Sequence, residues 1–277
     1  MERAIGVIDS GVGGLTVVNE IIRQLPNERV VYLGDTKRCP YGSREENEIR
    51  AFTYSMVKEI MTYNLKVLVI ACNTATAYTL KEIRKALDIP VIGVIKPGSR
   101  AAISVTETKQ IGIIGTEATI KSRAYEYSLK EINTNLHVER LACPTFVPMI
   151  ESGDYLNNNI LESIQEVLNP LTKHKGLDTL VLGCTHYPLI ANEIRQVLGE
   201  DVQVISSSEE TAREVSVILD QNNLLNKKTN FMHLFLMTGN KENFEKTYEN
   251  IFDNTLCSFS DVEIKQIELK ELEESYK

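Results

Sequence analysis

The sequence predicts two pseudo-symmetric α/β domains with mainly parallel sheets and an active site in the cleft between them. Three observations support this. Apolar β-branched runs alternate with amphipathic runs along most of the 277 residues. The second half repeats the strand pattern of the first in the same order. Each half also carries a cysteine directly after a matching apolar run, Cys72 in the first and Cys184 in the second.

In chain order, residues 4–8 read as a buried strand, and the loop Asp9-Ser10-Gly11-Val12-Gly13-Gly14 leads into a helix over 15–24. Residues 30–33 form the next strand. A polar loop over 34–43 contains Cys39-Pro40-Tyr41-Gly42, and a long helix covers 44–64. Residues 66–71 are strand, 76–87 helix and 91–95 strand, with Pro97-Gly98 as a stop. After the second repeat, Ser207-Ser208-Glu209-Glu210 opens a helix near 209–221. A strand over 233–237 and a helix over 241–252 follow, and the acidic end over 268–277 is expected to fray. This last part is expected to return to the first half, giving one domain of 1–96 plus 208–277 and a second of 97–207.

The repeat is specific in its order. Ile5-Gly6-Val7-Ile8-Asp9-Ser10 resembles Ile111-Gly112-Ile113-Ile114-Gly115-Thr116, and residues 30–33 resemble 138–141. Leu68-Val69-Ile70-Ala71-Cys72-Asn73-Thr74 resembles Leu180-Val181-Leu182-Gly183-Cys184-Thr185-His186. Val91-Ile92-Gly93 corresponds to Val204-Ile205-Ser206. Ligands of parallel sheets bind beyond the C-terminal strand ends. Facing halves therefore place the two cysteines, each expected just before a helix, on opposite walls of one cleft.

Composition narrows the function. A net charge of −8 argues against nucleic acid as the main ligand. No apolar run is long enough to span a bilayer, and residues 4–8 follow the first methionine too closely for a signal peptide, so a cytoplasmic protein is expected. Five cysteines, with no Cys-x-x-Cys, and four scattered histidines argue against a disulfide framework or a bound metal.

Two thiols in mirrored positions suit proton transfer at an amino-acid α-carbon. Racemisation removes a proton from one face and returns one to the other, so it needs two bases in opposite protonation states. A thiol titrates near enough to neutrality to serve as either. No lysine with a phosphate cradle suggests pyridoxal phosphate, and no cofactor is expected. Cys39, Cys143 and Cys257 lack the matched context and read as structural. Ser10, Asn73, Thr74, Thr116 and Thr185 lie at strand ends or following turns, where hydroxyls, amides and backbone N–H groups bind carboxylates. The glycine loop matches neither a Walker loop nor a full dinucleotide fingerprint. Asp9 reads equally as a helix cap or a base-orienting carboxylate. His186 reads as a satisfied loop histidine or as a proton relay beside Cys184.

Taken together, Asp9-Ser10-Gly11-Val12-Gly13-Gly14, Gly34-Asp35-Thr36 with Pro40-Tyr41-Gly42, Ala71-Cys72-Asn73-Thr74-Ala75 and Gly183-Cys184-Thr185-His186-Tyr187-Pro188 resemble the bacterial glutamate racemases. Phe146-Val147-Pro148 leading to Glu151, and Glu209-Glu210-Thr211-Ala212, fit the same resemblance, which covers about residues 5–215. It implies two α/β domains around a buried cleft, no cofactor, and interconversion of L- and D-glutamate that supplies D-glutamate for peptidoglycan. It implies that Cys72 takes the proton from D-glutamate and Cys184 from L-glutamate, assisted by Asp9, Glu151 and His186. It assigns substrate contacts to Asp9, Ser10, Tyr41, Gly42, Asn73, Thr74, Thr116, Thr119, Thr185 and His186. A homodimer is the expected assembly. Lys96, before Pro97, departs from the acidic residue of many relatives and bears on local packing. The alternatives are an aspartate or hydantoin racemase, a non-catalytic amino-acid sensor on the same fold, and a thiol redox protein. A decarboxylase relative lacks one of the two cysteines, and both are present here.

Overall fold

A computed structural model describes residues 3–152, 160–174, 176–227, 231–252 and 259–270. Cys257 and residues 271–277 of the acidic end lie outside the described residues. Among the described residues, no helix is long and apolar enough to cross a membrane.

The chain runs β1 (Ala4–Asp9), α1 (Leu15–Gln24), β2 (Val30–Gly34), α2 (Glu46–Ile60), β3 (Leu65–Ile70), α3 (Asn73–Ala86), β4 (Val91–Gly93) and α4 (Ile95–Val105). It continues with β5 (Gln110–Gly115), α5 (Glu117–Ser122), α6 (Ala124–Ile132), β6 (His137–Ala142), α7 (Phe146–Glu151), α8 (Ile160–Thr172), β7 (Thr179–Gly183), α9 (Ala191–Leu198) and β8 (Gln203–Ser206). The last described elements are α10 (Ser207–Gln221), β9 (His233–Met237), α11 (Lys241–Ile251) and β10 (Val262–Gln266).

Two sheets form, in the orders β10-β9-β2-β1-β3-β4 and β6-β5-β7-β8. Every described pairing is parallel. The order β2-β1-β3-β4 recurs as β6-β5-β7-β8, and the registers agree with the repeat in the sequence. Ile5 lies opposite Val30 and Val67; its counterpart Ile111 lies opposite Val138 and Thr179. Leu68 pairs Val91 as Leu180 pairs Val204. β9 and β10 extend the first sheet beside β2.

Helices cover both faces of the first sheet, and its central strands β1, β2 and β3 are buried throughout. Side chains alternate between two cores. Ile5, Val7, Val67 and Val69 pack toward α1, α10 and α11, while Ile8, Leu68 and Ile70 pack toward α2 and α3. The second sheet repeats this, with Ile111, Ile113 and Val181 on one face and Ile114, Leu180 and Leu182 on the other. Cys72 and Cys184 belong to equivalent faces of the two sheets. At the far end of the first sheet, Lys66 and Glu28 form a buried ion pair. Lys66 Nζ also donates to Leu224 O (2.6 Å), and Asn226 N donates to Glu28 Oε1 (2.7 Å). Removing one partner strands a buried charge, a cost of about 3–5 kcal/mol.

Three local expectations need correction. The helix expected over 44–64 is shorter. It starts at Glu46, where Glu45 and Glu48 form a capping box, and ends at Ile60. The strand expected over 91–95 ends at Gly93, and Pro97-Gly98 does not stop an element. Pro97 lies in the first turn of α4, where the missing N–H costs nothing, and Lys96 beside it is exposed. Third, Cys184 does not directly precede an α-helix. A 3-10 turn over Tyr187–Ile190 intervenes before α9.

Candidate active site

The C-terminal ends of β1 and β3 face those of β5 and β7 across a narrow cavity. Both Cys72 and Cys184 line it, with Ser10, Tyr41, Gly42, Asn73, Thr74, Thr116, Thr185 and His186. Of the residues expected at the site, Asp9, Thr119 and Glu151 stand behind this lining and act on it through hydrogen bonds.

Cys72 is the N-cap of α3, and its Sγ accepts from Ala75 N at 3.4 Å. The thiol donates to Ser10 Oγ at 3.3 Å. Burial and the charge of Asp9 push it up to about 12, against the opposing effect of the Ser10 and Ala75 bonds. Cys72 is therefore held as a thiol at neutral pH.

Cys184 has different surroundings. Its Sγ lies 3.8 Å from His186 Nδ1, and His186 Nε2 lies 2.5 Å from Glu151 Oε1. Burial opposes charge on His186, but its bonds to Cys184 and Glu151 outweigh burial and hold the imidazole well above its ordinary value. Burial likewise raises Glu151, and the bond from His186 overcomes this to bring the carboxyl below its usual range. His186 thus links the thiol to a carboxylate.

Asp9 is fully buried and is not the cap of α1, whose N-cap is Gly14. Its Oδ1 accepts from Gly11 N (3.0 Å) and its Oδ2 from Thr185 Oγ1 (3.2 Å), which reaches across from the second sheet. Burial lifts its carboxyl to about 6, although the charge of His186 and the Gly11 N–H pull it down. A carboxyl there can hold or release a proton near neutral pH.

Hydroxyls join the halves on another wall. Thr74 Oγ1 lies 2.9 Å from Thr116 Oγ1 and 3.0 Å from Thr119 Oγ1. The Tyr41 hydroxyl donates to Asp35 Oδ2 at 2.5 Å. Two glycines let the halves approach. A Cβ on Gly13 would sit 2.5 Å from His186 Nδ1, and one on Gly42 would sit 2.2 Å from Thr116 Cβ.

Two residues were not foreseen. Cys39, read as structural, lines the cavity, and its Sγ lies 3.5 Å from Glu151 Oε1. Its place directly before Pro40-Tyr41-Gly42 was the available signal. Tyr125 on α6 donates to Asn73 Oδ1 at 2.7 Å. This fixes the Asn73 amide, whose buried Nδ2 has no protein partner. No spacing in the sequence announces that contact. Cys143, by contrast, is buried in the second core, as a structural cysteine should be.

Parallel α/β halves facing one another across a thiol-lined cavity define a class, the amino-acid racemases that work between two lobes. The chain belongs to the Asp/Glu/Hydantoin racemase family, which matches residues 5–215. Within it, the chain is 52% identical over 267 residues to a glutamate racemase of Oceanobacillus iheyensis, covering 96% of this chain and 97% of that one. It resembles the crystal structure of a glutamate racemase isoform from Bacillus anthracis with a TM-score of 0.90 at 46% identity, covering 96% and 98% of the two chains. A glutamate racemase from Francisella tularensis, solved in complex with D-glutamate, matches with a TM-score of 0.88 at 33% identity over 98% and 99%.

Proposed function

We propose that the protein is an isomerase that interconverts L- and D-glutamate by two-thiol proton transfer without a cofactor, providing D-glutamate for peptidoglycan. In this reading residues 1–96 with 208–277 form one lobe and 97–207 the other, in a cytoplasmic homodimer. The observation that carries it is that two thiols from equivalent strand ends line one cavity.

In the L-to-D direction Cys184 acts as the base, beside His186. The α-C–H bond breaks and an S–H bond forms at Cys184. Cys72, held as a thiol, then gives its proton to the opposite face of the carbanion and yields D-glutamate. The reverse reaction starts from the exchanged protonation states. Asp9, near 6, returns a proton to Cys72 or accepts one from it. His186, backed by Glu151, does the same for Cys184. Asn73 Nδ2 and the hydroxyls of Ser10, Thr74, Thr116 and Thr185 hold the carboxylates, and Thr119 orients Thr74 and Thr116.

Incubation with L-glutamate in deuterated water, without added cofactor, tests this. Optical rotation should decay to zero as deuterium enters the α-position. No rotation change and no α-exchange with either enantiomer refutes it. Faster conversion of L-aspartate would favour an aspartate racemase instead.

A further inference from the structure

Cys39 has no part in the proton transfer described above, yet it sits against that machinery. Its Sγ lies 3.5 Å from Glu151 Oε1, which lies 2.5 Å from His186 Nε2. The three ligand atoms all fall within 4.8 Å of one another. We propose that Cys39, Glu151 and His186 form an inhibitory binding site for a borderline-soft divalent metal ion of the Zn2+ type.

The donor chemistry is a thiolate, a carboxylate and an imidazole nitrogen, a set that favours zinc and its neighbours over magnesium or calcium. Zinc takes such ligands at about 2.0–2.3 Å, which spaces tetrahedral donors roughly 3.3–3.8 Å apart. The thiol–carboxylate distance already falls in that range. The imidazole–carboxylate contact must lengthen by about 1 Å, and the thiol and the imidazole lie within 4.8 Å of one another. The Glu151 side chain is 32% exposed, which gives an entry path and leaves a fourth position for water. On binding, the Cys39 S–H bond breaks, its proton leaves to solvent, and a sulfur–metal bond forms. No electron transfer is involved.

The consequence follows from which nitrogen is taken. A metal on Nε2 removes the Glu151 bond and fixes the remaining proton on Nδ1, which faces Cys184 Sγ. His186 can then no longer accept a proton from Cys184. The ion also ties the loop after β2 to α7 and to the turn after β7, cross-linking the two walls of the cavity. This inhibitory step rests on the His186–Cys184 assignment above. Metal binding itself does not, so it is measured separately.

Co2+ is titrated into the metal-free full-length protein, followed by absorption. One equivalent should bind with a near-ultraviolet thiolate-to-cobalt charge-transfer band, and Zn2+ should abolish the band. The band should vanish in Cys39→Ser and persist in Cys184→Ser. In racemase assays Zn2+ should inhibit the native protein. At least tenfold more Zn2+ should be needed for half-inhibition of Cys39→Ser, relative to its own metal-free rate. No stoichiometric binding, or a band that survives in Cys39→Ser, overturns the site. Cobalt bound through Cys39 with no zinc inhibition upholds the site and overturns its inhibitory role. A protein that racemises nothing but still shows the band at Cys39 upholds the site and refutes the proposed function.

Discussion

Cys72 and Cys184 occupy equivalent ends of β3 and β7, yet their surroundings have little in common. Cys72 caps a helix, bonds Ser10 and Ala75, and is kept protonated by burial beside Asp9. Cys184 precedes a 3-10 turn and leans on a histidine–carboxylate pair instead of a helix end. Symmetry of the backbone supplies two opposed thiols; asymmetry of the side chains gives them different partners. A two-base racemase needs both, because identical thiols at rest would both be acids or both be bases.

The largest expected effect comes from removing either side of the comparison. Cys72→Ser and Cys184→Ser should each lower racemisation by about 10³-fold. The loss of kcat/KM must be equal in both directions, since enantiomers have an equilibrium constant of one. Either variant keeping near-native rates would break the two-base assignment. Next is Gly13→Ala, whose Cβ would meet His186 Nδ1 and Thr185 Oγ1. Displacing the relay by about 1 Å should cost about 10²-fold in kcat/KM. Steady-state kinetics on the folded variant measures this, and an unchanged rate would show that the His186 position is not critical.

Asp9 sharpens the Cys72 side. With its carboxyl at about 6, it is ionised above that pH and protonated below it. Proton acceptance is therefore lost as pH falls, and kcat/KM should drop about tenfold per pH unit below 6. Asp9→Asn should lose that limb of the pH–rate profile along with much of the activity. The smallest effect is at Tyr125. Tyr125→Phe frees the Asn73 amide, and KM should rise about fivefold, equivalent to about 1 kcal/mol, with kcat nearly kept. A fall in kcat with unchanged KM would contradict this positioning role.

Much of the scaffold was legible because each strand of the repeat carries its own apolar signature. The registers of Ile5 and Ile111 reproduce the alignment of the two halves. Pro97-Gly98 misled because proline breaks a helix interior but is tolerated in a first turn. Cys39 and Tyr125 escaped because they reach the site through contacts between distant segments, to Glu151 and Asn73, which no local period encodes. Asp9 was visible in its loop, but its bond from Thr185 of the other sheet is a further contact of this kind.

Exchange without racemisation tests the division of labour most directly. Cys72→Ser keeps the base that faces L-glutamate, and Cys184→Ser keeps the one that faces D-glutamate. In deuterated water, followed by proton NMR, Cys72→Ser should exchange the α-proton of L-glutamate and not of D-glutamate. Cys184→Ser should do the reverse. Exchange of both enantiomers by either variant, or the opposite pairing, would contradict the assignment of one thiol to each face.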